Sequence, residues 1–268
     1  MEKSTVDLKF GREAFGGDPA GYHAVRPGYP DWVFEMLLER GCLDKGTATF
    51  EIGAGTGIAT QRLVELGANP LVIIEPDNRL AGFLGDTING EGLSIISAPF
   101  EDAALPENSF DFGISATAFH WLNEDVALEK IARLLRSGGW WAMVWNVFGD
   151  PSRHDAFHEA TRELLEGPQS PADGTGNIPF ALDVESRLAA LERTNAFEAI
   201  EYRATEWPWV LDAGQTVALY STFSNIIIRP DRDALLTELG RVATEQFAGR
   251  VTRNMATCLY IARRKGKL

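Results

Sequence analysis

The chain has 268 residues, 45% hydrophobic and 24% charged, which suits a globular protein able to bury a core of good size. A formal charge of −13 argues against a generic phosphate-backbone binder, so nucleic acid is disfavoured as a partner. Cys42 and Cys258 are too far apart in sequence for a disulfide framework or metal-site spacing and fit a reducing cytoplasm; no apolar leader and no membrane-spanning run is legible.

In chain order, residues 1–30 end "GYHAVRPGYP" and read as an irregular arm, or a short helix and then a turn. "DWVFEMLLERG" predicts an amphipathic helix with Asp31 as N-cap candidate and Gly41 as its stop. "TATFEI" is a strand, "IATQRLVEL" a helix and "PLVIIE" a strand. "DNRLAGFLGDT" opens on another N-cap candidate, "LSIIS" and "SFDFGISATA" are strands, and "EDVALEKIARLLRSGG" is a helix with a glycine stop before the strand "WWAMVWN". This alternation predicts a parallel, doubly wound α/β sheet. Beyond Asn146 a helical insertion, about 149–196, follows the fifth strand. "AIEYRATEWPWVL" then alternates like a strand, with Pro208 marking an edge or a bulge. Two helices follow, in "AGQTVALYSTFSNII" and "PDRDALLTELGRVATEQF", and "TRNMATCLYIARRK" closes the chain as a strand within a single domain.

The chemistry centres on "FEIGAGTGIATQRLVELG", where Gly53, Gly55 and Gly57 stand between a strand and a helix. Glycine tolerates positive φ and admits a ligand close to the backbone, and the helix start adds free N–H groups. A P-loop would need a lysine and a hydroxyl that Ile58 and Ala59 do not supply. A dinucleotide fingerprint would place its third glycine one position later. The compact G-x-G-x-G turn suits a nucleoside without a pyrophosphate. Glu75 closes the second strand, where a carboxylate can accept both ribose hydroxyls.

"EIGAGTG", "EPD", "FED…LP…SFD" and "ATAFHW" together resemble a class I S-adenosylmethionine-dependent methyltransferase. The branch most similar acts on small molecules and contains quinone-ring and trans-aconitate methyltransferases. The resemblance covers about 22–146 and implies a Rossmann-like seven-stranded sheet with an antiparallel last strand. It implies S-adenosyl-L-methionine as cofactor and S-adenosyl-L-homocysteine as product. Gly53, Ala54, Gly55 and Gly57 would line the methionine and ribose, with Glu51 orienting the turn or reaching the cofactor amine. Glu75 would take the ribose and Pro76 the adenine face, and the backbone at Phe100 and Glu101 the adenine edge. Many relatives carry an Asp just before that point; here Ala98 and Pro99 precede Phe100. Ser115, Ala116 and Thr117 would flank the sulfonium. Tyr22 and Arg26 would close over the cofactor, Arg26 pairing with its carboxylate.

The acceptor is expected among the arm, the insertion and "VALYSTFSNIII". Trp121, Tyr220 and Phe223 are candidates for its aromatic wall and Asn146 for a polar contact, with Arg229 meeting an anionic acceptor. His120 is the candidate general base because its ordinary pKa lies near neutrality. His154 and His158 lack a third ligand, so no metal is expected. Two other readings stand beside methyl transfer to a small molecule: a non-catalytic S-adenosylmethionine-binding subunit or sensor, and an NAD-dependent oxidoreductase.

Overall fold

In the computed structural model, which describes residues 5–8, 12, 14–150, 152–175 and 178–266, the sheet strands are β1 (Thr49–Ile52), β2 (Leu71–Ile74), β3 (Leu93–Ile96), β4 (Phe110–Ala116), β5 (Leu135–Val147), β6 (Phe197–Asp212) and β7 (Arg250–Arg264). Part of the expected arm (1–4, 9–11, 13) and of the insertion (151, 176, 177) lies outside the described residues. The sheet order is β3-β2-β1-β4-β5-β7-β6. β1 to β5 pair in parallel, and β7 lies antiparallel between β5 and β6. The Rossmann-like sheet with an antiparallel last strand is therefore present. Pro208, which cannot donate to a ladder, sits on β6 at the sheet edge.

The helices are α1 (Pro19–Val25), α2 (Asp31–Glu39), α3 (Ile58–Glu65), α4 (Asn78–Thr87), α5 (Glu124–Leu134), α6 (Ala156–Thr161), α7 (Val184–Arg193), α8 (Ala213–Tyr220), α9 (Ser224–Ile227) and α10 (Arg232–Gln246). Asp77 caps α4 by accepting from the Arg79 N–H, as its position before an apolar helix predicts. Asp31 is not a cap: Pro30 holds that place, and Asp31 sits in the first turn. The glycine stop at the end of α5 also gives way. The helix ends at Leu134, and Leu135 already pairs with Phe110. The register then jumps to Phe112 beside Trp140, so the Gly138–Gly139 pair is absorbed in an irregular strand entry.

Residues 149–196 are less helical than their composition predicts. α6 spans 6 residues, and two 3₁₀ turns precede α7. Asp155 explains where α6 starts. Its carboxylate accepts from the His158 N–H at the helix entry, and its second oxygen accepts from Arg253 Nε at 2.8 Å.

Both faces of the sheet are covered, which is why the parallel strands read as nearly continuous apolar runs. Phe50, Trp141, Met143 and Trp145 point to one core, and Phe112, Ile114, Ala142 and Val144 to the other. The tryptophan-rich β5 thus serves mainly as packing. A third cluster joins α6, α8 and α10 through Phe157, Tyr220 and Leu239. Arg253, only 2% exposed, ties that cluster to the sheet by donating to Asp155, to the Tyr220 hydroxyl and to the Phe148 carbonyl.

Removing one partner of a buried ion pair strands the other charge, at a cost of about 3–5 kcal/mol. Arg253→Ala is expected to lower the denaturant midpoint by that order, whereas Arg241→Ala, on an exposed α10 pair, leaves it nearly unchanged. Equal effects of the two substitutions in urea melts would contradict this account of the core.

Candidate active site

Gly53, Gly55 and Gly57 take φ of 69°, 59° and 86°, in the left-handed region that side chains resist. Their reasons differ. A Cβ on Gly53 would lie 2.5 Å from the Ala118 Cβ, so this glycine lets the end of β4 press against the turn. A Cβ on Gly57 would strike Ile88 of the α4 end at 2.3 Å, so Gly57 serves packing and is not among the cleft-lining residues. Nothing lies within 4 Å of a Cβ on Gly55, which opens onto a cleft.

Two acids stand at the strand ends beneath that cleft. Glu75, 3% exposed, accepts the Gly55 N–H at 2.8 Å on one oxygen and the Asp77 N–H at 2.9 Å on the other. Each carboxylate oxygen keeps further acceptor capacity. Glu51 is fully buried; one oxygen accepts from Thr60 Oγ1 at 2.7 Å, and Oε1 has no partner among the described residues. Burial pushes both carboxyls up to about 7; the Glu75 charge adds to the shift at Glu51, and backbone hydrogen bonds from Asp77 and Gly55 oppose it at Glu75. Thr56 Oγ1 and Arg26 Nε are likewise buried and without partners, and both residues line the cleft.

The N-terminal segment forms the opposite wall. Arg26 donates Nη2 to the Thr222 carbonyl at 2.9 Å, and its guanidinium lies over the rings of Tyr22, Phe148 and Phe223 at 4.8, 5.3 and 4.9 Å. It makes no ion pair among the described residues. The Tyr29 hydroxyl meets Thr117 Oγ1 at 2.7 Å, and burial raises its pKa, so it stays a phenol. Thr117 carries φ of 54°, rare for a β-branched residue and typical of strain kept at a site. Arg12 bridges Glu101 and the Trp121 carbonyl at the rim.

Of the residues singled out from sequence, the cleft gathers Tyr22, Arg26, Glu51, Gly53, Ala54, Gly55, Glu75, Pro76, Phe100, Ala116, Trp121 and Asn146. Seven others, Arg229 among them, lie outside its lining. Gly57 backs onto α4, and the Glu101 side chain turns to Arg12. Ser115 Oγ donates to the Ile52 carbonyl, bracing β4 on β1. Tyr220 is buried with its hydroxyl on Arg253, and Phe223 reaches the cleft only through Arg26. His120 accepts from the Trp145 indole on Nδ1 at 3.1 Å, and burial drives its pKa down to about 3. His120 is thus a neutral imidazole with Nδ1 occupied, outside the cleft lining.

Asn146 spends its amide on the Pro27 and Gly28 carbonyls, and its oxygen accepts from Thr257, so it fastens the arm. Arg229 is engaged by Asp231 and by the Leu164 and Glu166 carbonyls. None of the described lining residues comes from 149–196. Sequence reasoning missed Arg12, Phe15 and Phe148, whose surroundings carry no motif. Tyr29 was legible in "RPGYP" but went unremarked. No group of three or more His, Cys, Asp or Glu among the described residues is placed to hold a metal.

A family model described as a methyltransferase domain matches residues 50–143. This stretch, about a third of the chain, is similar to the class I S-adenosylmethionine-dependent methyltransferases. An uncharacterised methyltransferase of Mycobacterium tuberculosis is 32% identical over 138 residues, 50% of this chain and 52% of that protein. A methyltransferase-like protein of Schizosaccharomyces pombe is 28% identical over 148 residues, 54% of each chain, so the match spans about half the length of these relatives. The structure of Haemonchus contortus phosphoethanolamine N-methyltransferase 2 in complex with S-adenosyl-L-methionine aligns with a TM-score of 0.60 at 15% identity, covering 100% of this chain and 62% of that one. The [4+2]-cyclase SpnF aligns with a TM-score of 0.59 at 16% identity, covering 99% and 100%. At such identities these likenesses concern the fold. S-adenosylmethionine is the cofactor of the family.

The two acids give the site a pH signature. Both carboxyls are raised above the ordinary glutamate value of 4.5, so folding favours their protonated forms. That stabilisation is complete below about pH 4.5 and is lost as pH rises through about 7. Thermal melts of the ligand-free protein are expected to fall between roughly pH 5 and pH 8, with a shallower fall in Glu51→Gln. A profile identical in the variant would contradict the assignment.

Proposed function

We propose that the protein binds S-adenosyl-L-methionine in this cleft and transfers its methyl group to a small-molecule acceptor, leaving S-adenosyl-L-homocysteine. The observation that carries the reading is an acid and a guanidinium on the cleft wall, each with a buried unpartnered atom: Glu51 Oε1 and Arg26 Nε. An α-amino-acid end, with its ammonium and carboxylate, matches that pair. A pyrophosphate does not, because it would lie against two buried glutamates, and this disfavours NAD. Gly55 supplies bare backbone, Glu75 has acceptor capacity for ribose hydroxyls, and Pro76 and the Phe100 segment border the place for the base. Gly53, Ala54, Ala116 and Tyr22 complete the enclosure, while Gly57, Ser115 and Glu101 act from behind it.

The cofactor, when bound, supplies a methyl group already activated on sulfonium. The protein's task is positioning and exclusion of water. The described lining residues include no His, Lys, Asp or Cys; their acids are Glu51 and Glu75, which the reading assigns to the cofactor, and burial holds the Tyr29 phenol protonated. Phe15, Trp121, Leu122 and Phe148 make that side apolar, which suits an aromatic or aliphatic small molecule such as a natural product or quinone precursor. With His120 set aside, the reading favours a nucleophile that needs no deprotonation in the site. The arm, fastened through Tyr29 and Asn146, covers the cleft. Among the described residues no helix is long and apolar enough to cross a membrane. Two buried free thiols fit the cytoplasm proposed as its compartment.

A second reading keeps the cofactor but not the transfer, and the alignment with a protein named as a cyclase favours keeping it in view. One assay separates the two. The protein is incubated with S-adenosylmethionine and pools of neutral amines, thiols, phenols and carboxylic acids. Mass spectrometry is expected to find one acceptor gained by a methyl group with an equal amount of S-adenosylhomocysteine, and neither with Glu75→Ala. Binding without product across the pools and cell extracts would support the non-transferring reading.

A further inference from the structure

Lys130 lies on α5, outside the cleft lining and outside every motif of the sequence. Its ammonium donates to three backbone carbonyls of one short segment: Phe100 at 2.5 Å, Glu101 at 3.1 Å and Ala103 at 2.8 Å. Three donors meet three acceptors, so the group is fully matched. It also lies 4.7 Å from the centre of the Phe100 ring. The same segment is pinned from its other side by Arg12 on the Glu101 carboxylate.

A trans peptide is planar, so the Glu101 N–H points opposite to the Phe100 carbonyl and therefore away from Lys130. Neither the Phe100 nor the Glu101 N–H has a hydrogen-bond partner among the described residues, whereas the next two amides both bond to the Pro99 carbonyl. Pro99 and Phe100 line the cleft. A cation on the carbonyl side of a peptide polarises it and strengthens its N–H as a donor. Position 98 is Ala, so no carboxylate stands there to accept from a ligand amino group, and the Glu101 carboxylate is taken up by Arg12.

We propose that Lys130 is a positioning residue for the adenine end of the cofactor, fixing and polarising the Phe100–Glu101 peptide that meets the base. This rests on the cofactor reading above. The test is calorimetric titration of S-adenosylhomocysteine and of S-ribosylhomocysteine, which lacks the base, into wild type, Lys130→Met and Lys130→Arg. Lys130→Met is expected to weaken S-adenosylhomocysteine by about tenfold, the size of a charge-assisted contact, and to leave S-ribosylhomocysteine unchanged. Lys130→Arg, which keeps the charge, recovers part of the loss. Amide exchange on wild type is expected to show the Phe100 and Glu101 N–H groups slowed by S-adenosylhomocysteine, a readout that holds even if Lys130→Met folds poorly. Equal weakening of both ligands, or unslowed amides in a wild type that binds, would overturn the role of Lys130 alone. A wild type that binds neither ligand would overturn the cofactor reading and this role with it.

Discussion

Glu75 accepts from the backbone of Gly55 and of Asp77, and these two bonds hold the ends of β1 and β2 in register around one buried carboxylate. The glycine turn, the start of α4 and the floor of the cleft all depend on it. Asp77 in turn caps α4, so the acid that faces the cleft and the cap that starts the next helix are linked through one peptide. A carboxylate so enclosed is costly unless it is hydrogen-bonded, and here the bonds come from backbone that a ligand must also approach. Stability and site geometry therefore share the same atoms.

The second constraint is the fastening of the N-terminal segment. Tyr29 on Thr117, Asn146 on the Pro27 and Gly28 carbonyls, and Arg26 on the Thr222 carbonyl tie it to the ends of β4, β5 and α8. Pro27 and Pro30 stiffen the chain between those ties. Thr117, which bonds Tyr29, holds a left-handed backbone, and its neighbour Ala118 lies against Gly53. The cleft is thus closed by a few polar bonds together with the stacking of Arg26 on Tyr22, Phe148 and Phe223.

Much of this was legible in sequence where a local rule governs it. The order of strands and helices through β5 followed from periodicity, and the glycine turn with Glu75 followed from strand-end chemistry. What was not legible depends on pairing partners distant in the chain. The end of α5 moved because β4 captured Leu135, and the start of α6 was set by an aspartate committed to Arg253. His120 looked like a base because its ordinary pKa is near neutrality; its burial against Trp145 is a tertiary fact with no local signature. Arg12 and Lys130 act on the segment around Phe100 from remote positions, so no motif could have announced them.

The central claim is that this cleft takes an adenosyl amino acid through Glu75, Glu51 and Arg26. Calorimetric titration of S-adenosylmethionine, S-adenosylhomocysteine and NAD into wild type and Glu75→Ala tests it most directly. The account predicts micromolar binding of both adenosyl ligands, lost in the variant, and no heat from NAD. Binding of NAD alone, or adenosyl binding that survives Glu75→Ala unchanged, would contradict it.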